Sequence, residues 1–140
     1  MHTQTTMTVT LIAQADLQDP MEGFVMRKTP PTARLTLASA TQEHTFTADR
    51  ETHGFTVTAP LAEGEHQITF QHTRPDPGQG ALLIRELRIQ GSRTGLAVYR
   101  GVYTRHDSQE RLPGHLYMGW PGTWTYSIRV PVHDGGIGFE

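Results

Sequence analysis

The amino-acid sequence predicts an all-β fold, a single antiparallel β-sandwich of jelly-roll type. Three observations predict it. Apolar and polar residues alternate with a period of two over several short runs, as in strands that lay one face on a core. Clusters of Gly, Pro and Asp separate those runs, with 14 glycines and 9 prolines among 140 residues, and such breakers punctuate turns. Apolar residues nowhere recur at helical spacing for three turns, so helix is expected to be minor. Short strands in close succession are the pattern of sandwiches and jelly rolls.

The elements follow in order. Met7–Ala15 alternates, with Val9, Leu11 and Ala13 on one face and Thr8, Thr10 and Ile12 on the other. Asp16–Pro31 holds Asp19-Pro20, Gly23 and Pro30-Pro31, so it reads as a long loop or a broken edge strand. Ala33–Ser39 points Ala33, Leu35 and Leu37 inward, and a strand around Phe46 spans Glu43–Ala48. Gly54–Ala59 buries Phe55, Val57 and Ala59, and Pro60 is expected to end it. Leu61–Gly91 reads as a long antiparallel pair flanking the loop Thr73–Gly80. His66, Ile68, Phe70 and His72 share one face of its first run. Leu83, Leu87 and Ile89 oppose Ile84, Glu86 and Arg88 in its second. Thr94–Tyr103 alternates as a strand, and Trp124–Val132 closes the series with Trp124, Tyr126, Ile128 and Val130 on one face.

Length and composition suit one domain over residues 1–140, with residues 1–6 and 134–140 as flexible or docking termini. A formal net charge of −2 leaves no basic surplus to neutralise phosphates, so nucleic acid is not an expected partner. No apolar run reaches the ~20 residues of a membrane helix, so a membrane is not expected either. Cysteine is absent, which removes thiolate metal sites and cysteine nucleophiles but leaves the compartment open. The N-terminus lacks a basic region followed by an apolar stretch. The expected location is extracellular if a signal peptide has been removed, and cytoplasmic otherwise.

Chemistry is less marked. Eight histidines invite a metal site, but close pairs with a carboxylate are absent. His66 and His72 lie roughly 20 Å apart at about 3.3 Å per strand residue. His44, His53, His106, His115 and His133 stand alone in the sequence. No metal site is therefore expected. Glu63 with Glu65, and Asp107 with Glu110, fall in turns. A chain this small offers little room for two carboxylates across a supported cleft. No serine sits in a nucleophile elbow, and Gly135-Gly136-Ile137-Gly138 has no helix after it to cradle a phosphate. No catalytic residues and no enzymatic activity are expected; a small hydrolase or isomerase using scattered histidines is the minority alternative.

The aromatic distribution is more telling. Tyr99, Tyr103, Tyr117, Trp120, Trp124 and Tyr126 all fall between positions 99 and 126. Trp120 lies between Gly119 and Pro121-Gly122, and a tryptophan on a rigid turn presents an apolar face at low entropic cost. Sugar rings stack on such faces while nearby polar groups meet their hydroxyls. Trp124 and Tyr126 read as core; for Trp120 a core plug and an exposed platform both remain open. The candidate ligand contacts are Trp120, Tyr117, Tyr103 and His115, with Asp76, Gln79 and Arg74 in the earlier loop.

The strand Gly64-Glu65-His66-Gln67-Ile68-Thr69-Phe70, its Pro/Asp/Gly loop and the strand Leu82–Gly91 resemble the calcium-dependent, xylan-binding type of carbohydrate-binding module. The resemblance covers about Met7–Gly91 and implies a β-sandwich that binds a polysaccharide. That family carries an Asp-Arg-Asn-Leu-like run after the loop, and the aspartate helps to hold calcium. Here the run is Gly78-Gln79-Gly80-Ala81-Leu82, without a carboxylate, and Asp76 alone does not make a cage of six to eight oxygens. No cofactor is therefore expected; calcium is the one that the resemblance leaves open, but its ligand run is not visible.

Two functional classes follow. The first is a non-catalytic, lectin-like module for a polysaccharide or oligosaccharide. The second is a structural or assembly subunit of a virus, phage or cell surface that self-associates as a homo-oligomer. Its motive is Ile137 and Phe139 in the glycine-rich end Asp134–Glu140.

Overall fold

Strict alternation of Met7, Val9, Leu11 and Ala13 with threonines, Ile12 and Gln14 makes the first strand, β1 (Gln4–Asp16), one face of which is fully buried. The computed structural model describes residues 4–16, 31–72 and 80–130. Further strands follow as β2 (Thr32–Leu37), β3 (Ala40–Thr45), β4 (Thr52–Ala62), β5 (Gly64–His72), β6 (Ala81–Ile89) and β7 (Ser92–Arg93). After a 3₁₀ helix at Gly95–Arg100 come β8 (Val102–Arg105), β9 (Arg111–Pro113), β10 (Tyr117–Met118) and β11 (Gly122–Val130).

Two antiparallel sheets face each other. One has the order β10-β6-β1-β4, with β7 beside β6; the other runs β3-β2-β5-β11-β8-β9. Their inner faces share one core in which Trp124, Tyr103, Tyr126, Phe46, Phe55 and Phe70 are the bulkiest fully buried groups. The chain is thus the predicted antiparallel β-sandwich, and among the described residues no helix is long and apolar enough to cross a membrane.

Four expectations need correction. The pair expected over Leu61–Gly91 does not form: β5 lies between β2 and β11 in one sheet, and β6 lies between β1 and β10 in the other. Half-burial specifies a face, not a partner, so alternation alone does not distinguish a hairpin from a crossover. The faces of β6 also differ from strict alternation. Ala13 opposes Ile84 while Ile12 opposes Glu86, which leaves Arg85 as the extra residue of a β-bulge. The bulge returns Leu87 and Ile89 to the same buried face as Leu82 and Ile84.

Pro60 does not end its strand. β4 is an edge strand that continues to Ala62. Thr56 sends its N–H outward to Gln42 Oε1 at 2.8 Å. Pro60, four residues on, has the same parity, so its missing donor falls on the open edge. Thr94–Tyr103 is not a continuous strand either. Thr94 donates both its N–H and its hydroxyl to the Leu87 carbonyl, each at 3.0 Å. That contact turns the chain into the 3₁₀ helix, which leaves Leu96 84% exposed and Val98 buried.

Smaller shifts occur at the ends. Gln4–Thr6, expected in a loose terminus, belong to β1 and pair with Pro60–Ala62. Phe46 is buried just beyond β3 rather than within a strand. Residues 17–30 and 131–140, including the expected docking end, lie outside the described residues.

Candidate functional site

The outer face of the five-stranded sheet builds a trough from three neighbouring strands. Tyr117 pairs with Leu83 in register, and Leu83 in turn opposes Gln14. Side chains alternate along each strand, so these three stand in one row on the outer face while Met118 and Leu82 go to the core. The bulge turns Arg85 to the solvent on the same strand. Two depressions flank the row and meet in it. One is lined by Gln14, Asp16, Arg50, Leu83, Arg85 and Tyr117 among others. The other adds Tyr99, His115 and Leu116 to Leu83, Arg85 and Tyr117.

The trough is held from both ends. The Tyr117 hydroxyl donates to Asp16 Oδ2 at 3.0 Å, and its ring packs against Gly119. Gln14 Nε2 donates to the Arg50 carbonyl at 3.3 Å, which ties the turn before β4 to the border of the trough. Ile84 N–H donates to the Leu116 carbonyl at 2.9 Å, extending the β10 pairing. Tyr117 and Tyr99 remain 43% and 52% exposed. Two aromatic faces therefore stand open on a surface whose backbone is fixed by sheet bonding.

Trp120 lies in the turn between β10 and β11 and is 45% exposed, so it is not a core plug. Its surroundings make it rigid. The Arg105 guanidinium stacks on the ring at 3.8 Å from its centroid. Arg105 is itself gripped by both carboxylate oxygens of Asp107, at 3.1 and 2.8 Å. That grip holds the Asp107 carboxyl below its usual range. The Tyr103 hydroxyl receives the Trp120 N–H at 3.1 Å and donates to the Trp120 carbonyl. Trp120 lines neither depression of the trough.

Tyr103, expected to touch ligand, is fully buried. It cannot present a face; it fastens the Trp120 backbone instead, and burial raises its pKa. Its tight seat depends on Gly122, where a Cβ would lie 2.4 Å from the Tyr103 ring. His115 is half-buried, stacks on Tyr103 with centroids 5.7 Å apart, and lines the trough. Arg74, Asp76 and Gln79 lie outside the described residues. The residues bounding that segment are placed, however: His72 pairs with Gly122 and its Nε2 donates to the Gly80 carbonyl at 2.8 Å.

Sequence reasoning missed Tyr99, Arg85, Arg50, Asp16 and Gln14 as site residues. Tyr99 was visible in the aromatic cluster, and the adjacent polar pair Arg85-Glu86 broke the alternation of β6. Arg50 and Gln14 carried no signal, because the sheet alone brings them beside Tyr117. The histidines also differ from expectation. His44 and His53 do not stand alone: their rings stack in parallel at 3.7 Å, and His44 Nε2 donates to Glu51 Oε2 at 2.8 Å. Among the described residues, no group of three or more His, Asp or Glu side chains is placed to hold a metal ion. The described residues thus offer no ligand set for the calcium that the resemblance implies, and the loop of residues 73–79, where that family places its ligands, lies outside them.

No protein-family model matches the chain, and no curated protein matches it. Among solved structures, it is similar to "vCBM60 in complex with galactobiose" with a TM-score of 0.57 at 14% identity, over 85% of this chain and 96% of that one. It is also similar to the selenomethionine form of vCBM60, with a TM-score of 0.55 at 15% identity over 86% and 89% of the two chains. That structure is described as linking two families of calcium-dependent carbohydrate-binding modules by circular permutation. At these identities the likeness is one of fold, and it reaches well beyond the Met7–Gly91 span in which the sequence resembles such modules.

Proposed function

We propose that this protein is a non-catalytic carbohydrate-binding domain that holds an oligosaccharide or a polysaccharide segment in the trough on its five-stranded sheet. The observation that carries this reading is the pair of exposed tyrosines, Tyr99 and Tyr117, which line one depression together with Arg85 on a surface braced by sheet hydrogen bonds. Tyrosine rings give a pyranose a flat apolar face, and Gln14, Arg85 and His115 supply partners for its hydroxyls. Little entropy is lost on binding, because the backbone under both rings is already ordered. The fold shared with carbohydrate-binding modules supports the same reading.

The lining argues for binding without turnover. Among the described residues Asp16 is the one carboxylate on the two depressions, whereas glycoside hydrolysis generally uses two across the scissile bond. A single carboxylate likewise makes no calcium cage in the trough, so binding there is proposed to be calcium-independent. Trp120, stacked on Arg105, is a second aromatic surface near the same end of the sandwich.

Affinity electrophoresis through gels containing a panel of plant, algal and bacterial polysaccharides tests the reading. Retardation by at least one polysaccharide, unchanged by EDTA and lost in Tyr117→Ala, is expected. No retardation by any of them overturns the reading.

A further inference from the structure

The trough concentrates positive charge in a chain that is negative as a whole. Its formal net charge is −2, yet among the described residues two arginines, Arg50 and Arg85, line the depression in which Asp16 is the single carboxylate. Arg34, Arg88 and Arg105 are each matched to Glu43, Glu86 and Asp107. Neither Arg50 nor Arg85 has a carboxylate within ion-pair distance among the described residues. Asp16 is engaged by the Tyr117 hydroxyl.

Position matters as much as charge. Arg85 is the bulged residue of β6 and lines both depressions. A ligand that spans them therefore crosses its guanidinium. Bulges recur where a strand re-aims a side chain beside a functional surface. An exposed guanidinium fork donates two parallel N–H···O bonds to the oxygens of a carboxylate or sulfate.

We infer that the glycan held in the trough is anionic, with a carboxylate or sulfate group at Arg85 and Arg50 and its sugar rings on Tyr117 and Tyr99. This inference rests on the carbohydrate-binding reading and narrows it to a substrate class.

Two matched pairs of probes test it by isothermal titration: polygalacturonate against its fully methyl-esterified form, and dextran sulfate against dextran. The charged member of at least one pair should bind about tenfold tighter or more, the worth of a charge-assisted hydrogen bond. Which pair shows the difference tells a uronate from a sulfate. The advantage should shrink as sodium chloride screens the charges, and it should fall at least about tenfold in Arg85→Gln with an unchanged melting temperature. The salt series on the unaltered protein decides the matter independently of how that variant folds. Equal affinity for both members of each pair overturns the inference while leaving a neutral-sugar site standing. A charge preference that survives Arg85→Gln together with Arg50→Gln places the anion elsewhere and overturns it too. Binding of none of the four probes counts against the carbohydrate reading itself.

Discussion

Trp120 and Trp124 lie four residues apart and do opposite work. Trp124 is fully buried against Tyr126, with ring centroids 5.6 Å apart. Gly101 passes so close that a Cβ there would meet the Trp124 indole at 2.3 Å. Trp124→Ala should therefore cost about 3–5 kcal/mol, the range for large-to-small core changes. Gly101→Ala should cost about 1–3 kcal/mol or more, because neither the ring nor the backbone has room to retreat. Trp120 is held from beneath through its backbone, so Trp120→Ala should shift stability by no more than about 1 kcal/mol. Tyr103→Phe removes the hydroxyl that fastens that backbone and should cost about 1–2 kcal/mol. Denaturant melts of the four variants check this ordering; a Trp120→Ala loss as large as that of Trp124→Ala would contradict it.

At the scale of elements, the seam between the two sheets is a pH-sensitive joint. β3 and β4 are edge strands of opposite sheets, and they are joined by the stack of His44 on His53 over Phe46 and Phe55. Burial, and then the charge of His44, lowers the His53 pKa from 6.5. His72, deep beside the Gly80 carbonyl, is lowered mainly by burial as well. A histidine whose folded pKa is depressed favours the neutral form. Its contribution is complete above the unfolded value of 6.5 and is lost as pH falls toward and through the folded one. Glu51 acts later. The Thr47 N–H and the His44 ring hold its carboxyl below 4.5, so its contribution is lost as pH falls through that lower value. The melting temperature should thus drop between about pH 7 and pH 5, and His53→Gln should flatten that slope. A melting temperature constant across this window would refute the joint.

Elements with a steady period of two were legible in the sequence. β1, β4 and β11 bury the residues that alternation assigns to them. Legibility failed where a local contact overrides the period. Six residues of 3₁₀ helix match Leu96, Val98 and Arg100 as well as a strand does, and the deciding bonds run to Leu87. The β2–β3 turn carries Ala38 at φ 54° in place of the glycine or asparagine that marks such turns, so the hairpin went unannounced. Partner choice was illegible for β5 and β6 because both have one apolar face and either sheet would bury it.

For the whole molecule, the sandwich makes two surfaces from an aromatic cluster that is continuous in sequence. Burial withdraws Tyr103, Trp124 and Tyr126 into the core and leaves Tyr99, Tyr117 and Trp120 outside. That sorting could be anticipated for Trp124, which alternates on β11, but not for Tyr103. Its neighbours Val102 and Thr104 are half-buried, and the pairing with β11 and β9 encloses Tyr103 itself. The trough was less legible still, since it is assembled from the end of β1, the turn before β4, the bulge of β6 and β10. Removing the tyrosines of the trough should therefore leave the fold intact and end binding.

The most direct measurement is titration of a retained polysaccharide into the unaltered protein and into a Tyr99→Ala, Tyr117→Ala double variant, with a thermal melt of each. Both residues are about half exposed, so the melts should differ by no more than the equivalent of about 1 kcal/mol. Saturable heat should be seen with the unaltered protein and none with the variant. Equal affinity in the two proteins would contradict the trough as the binding site.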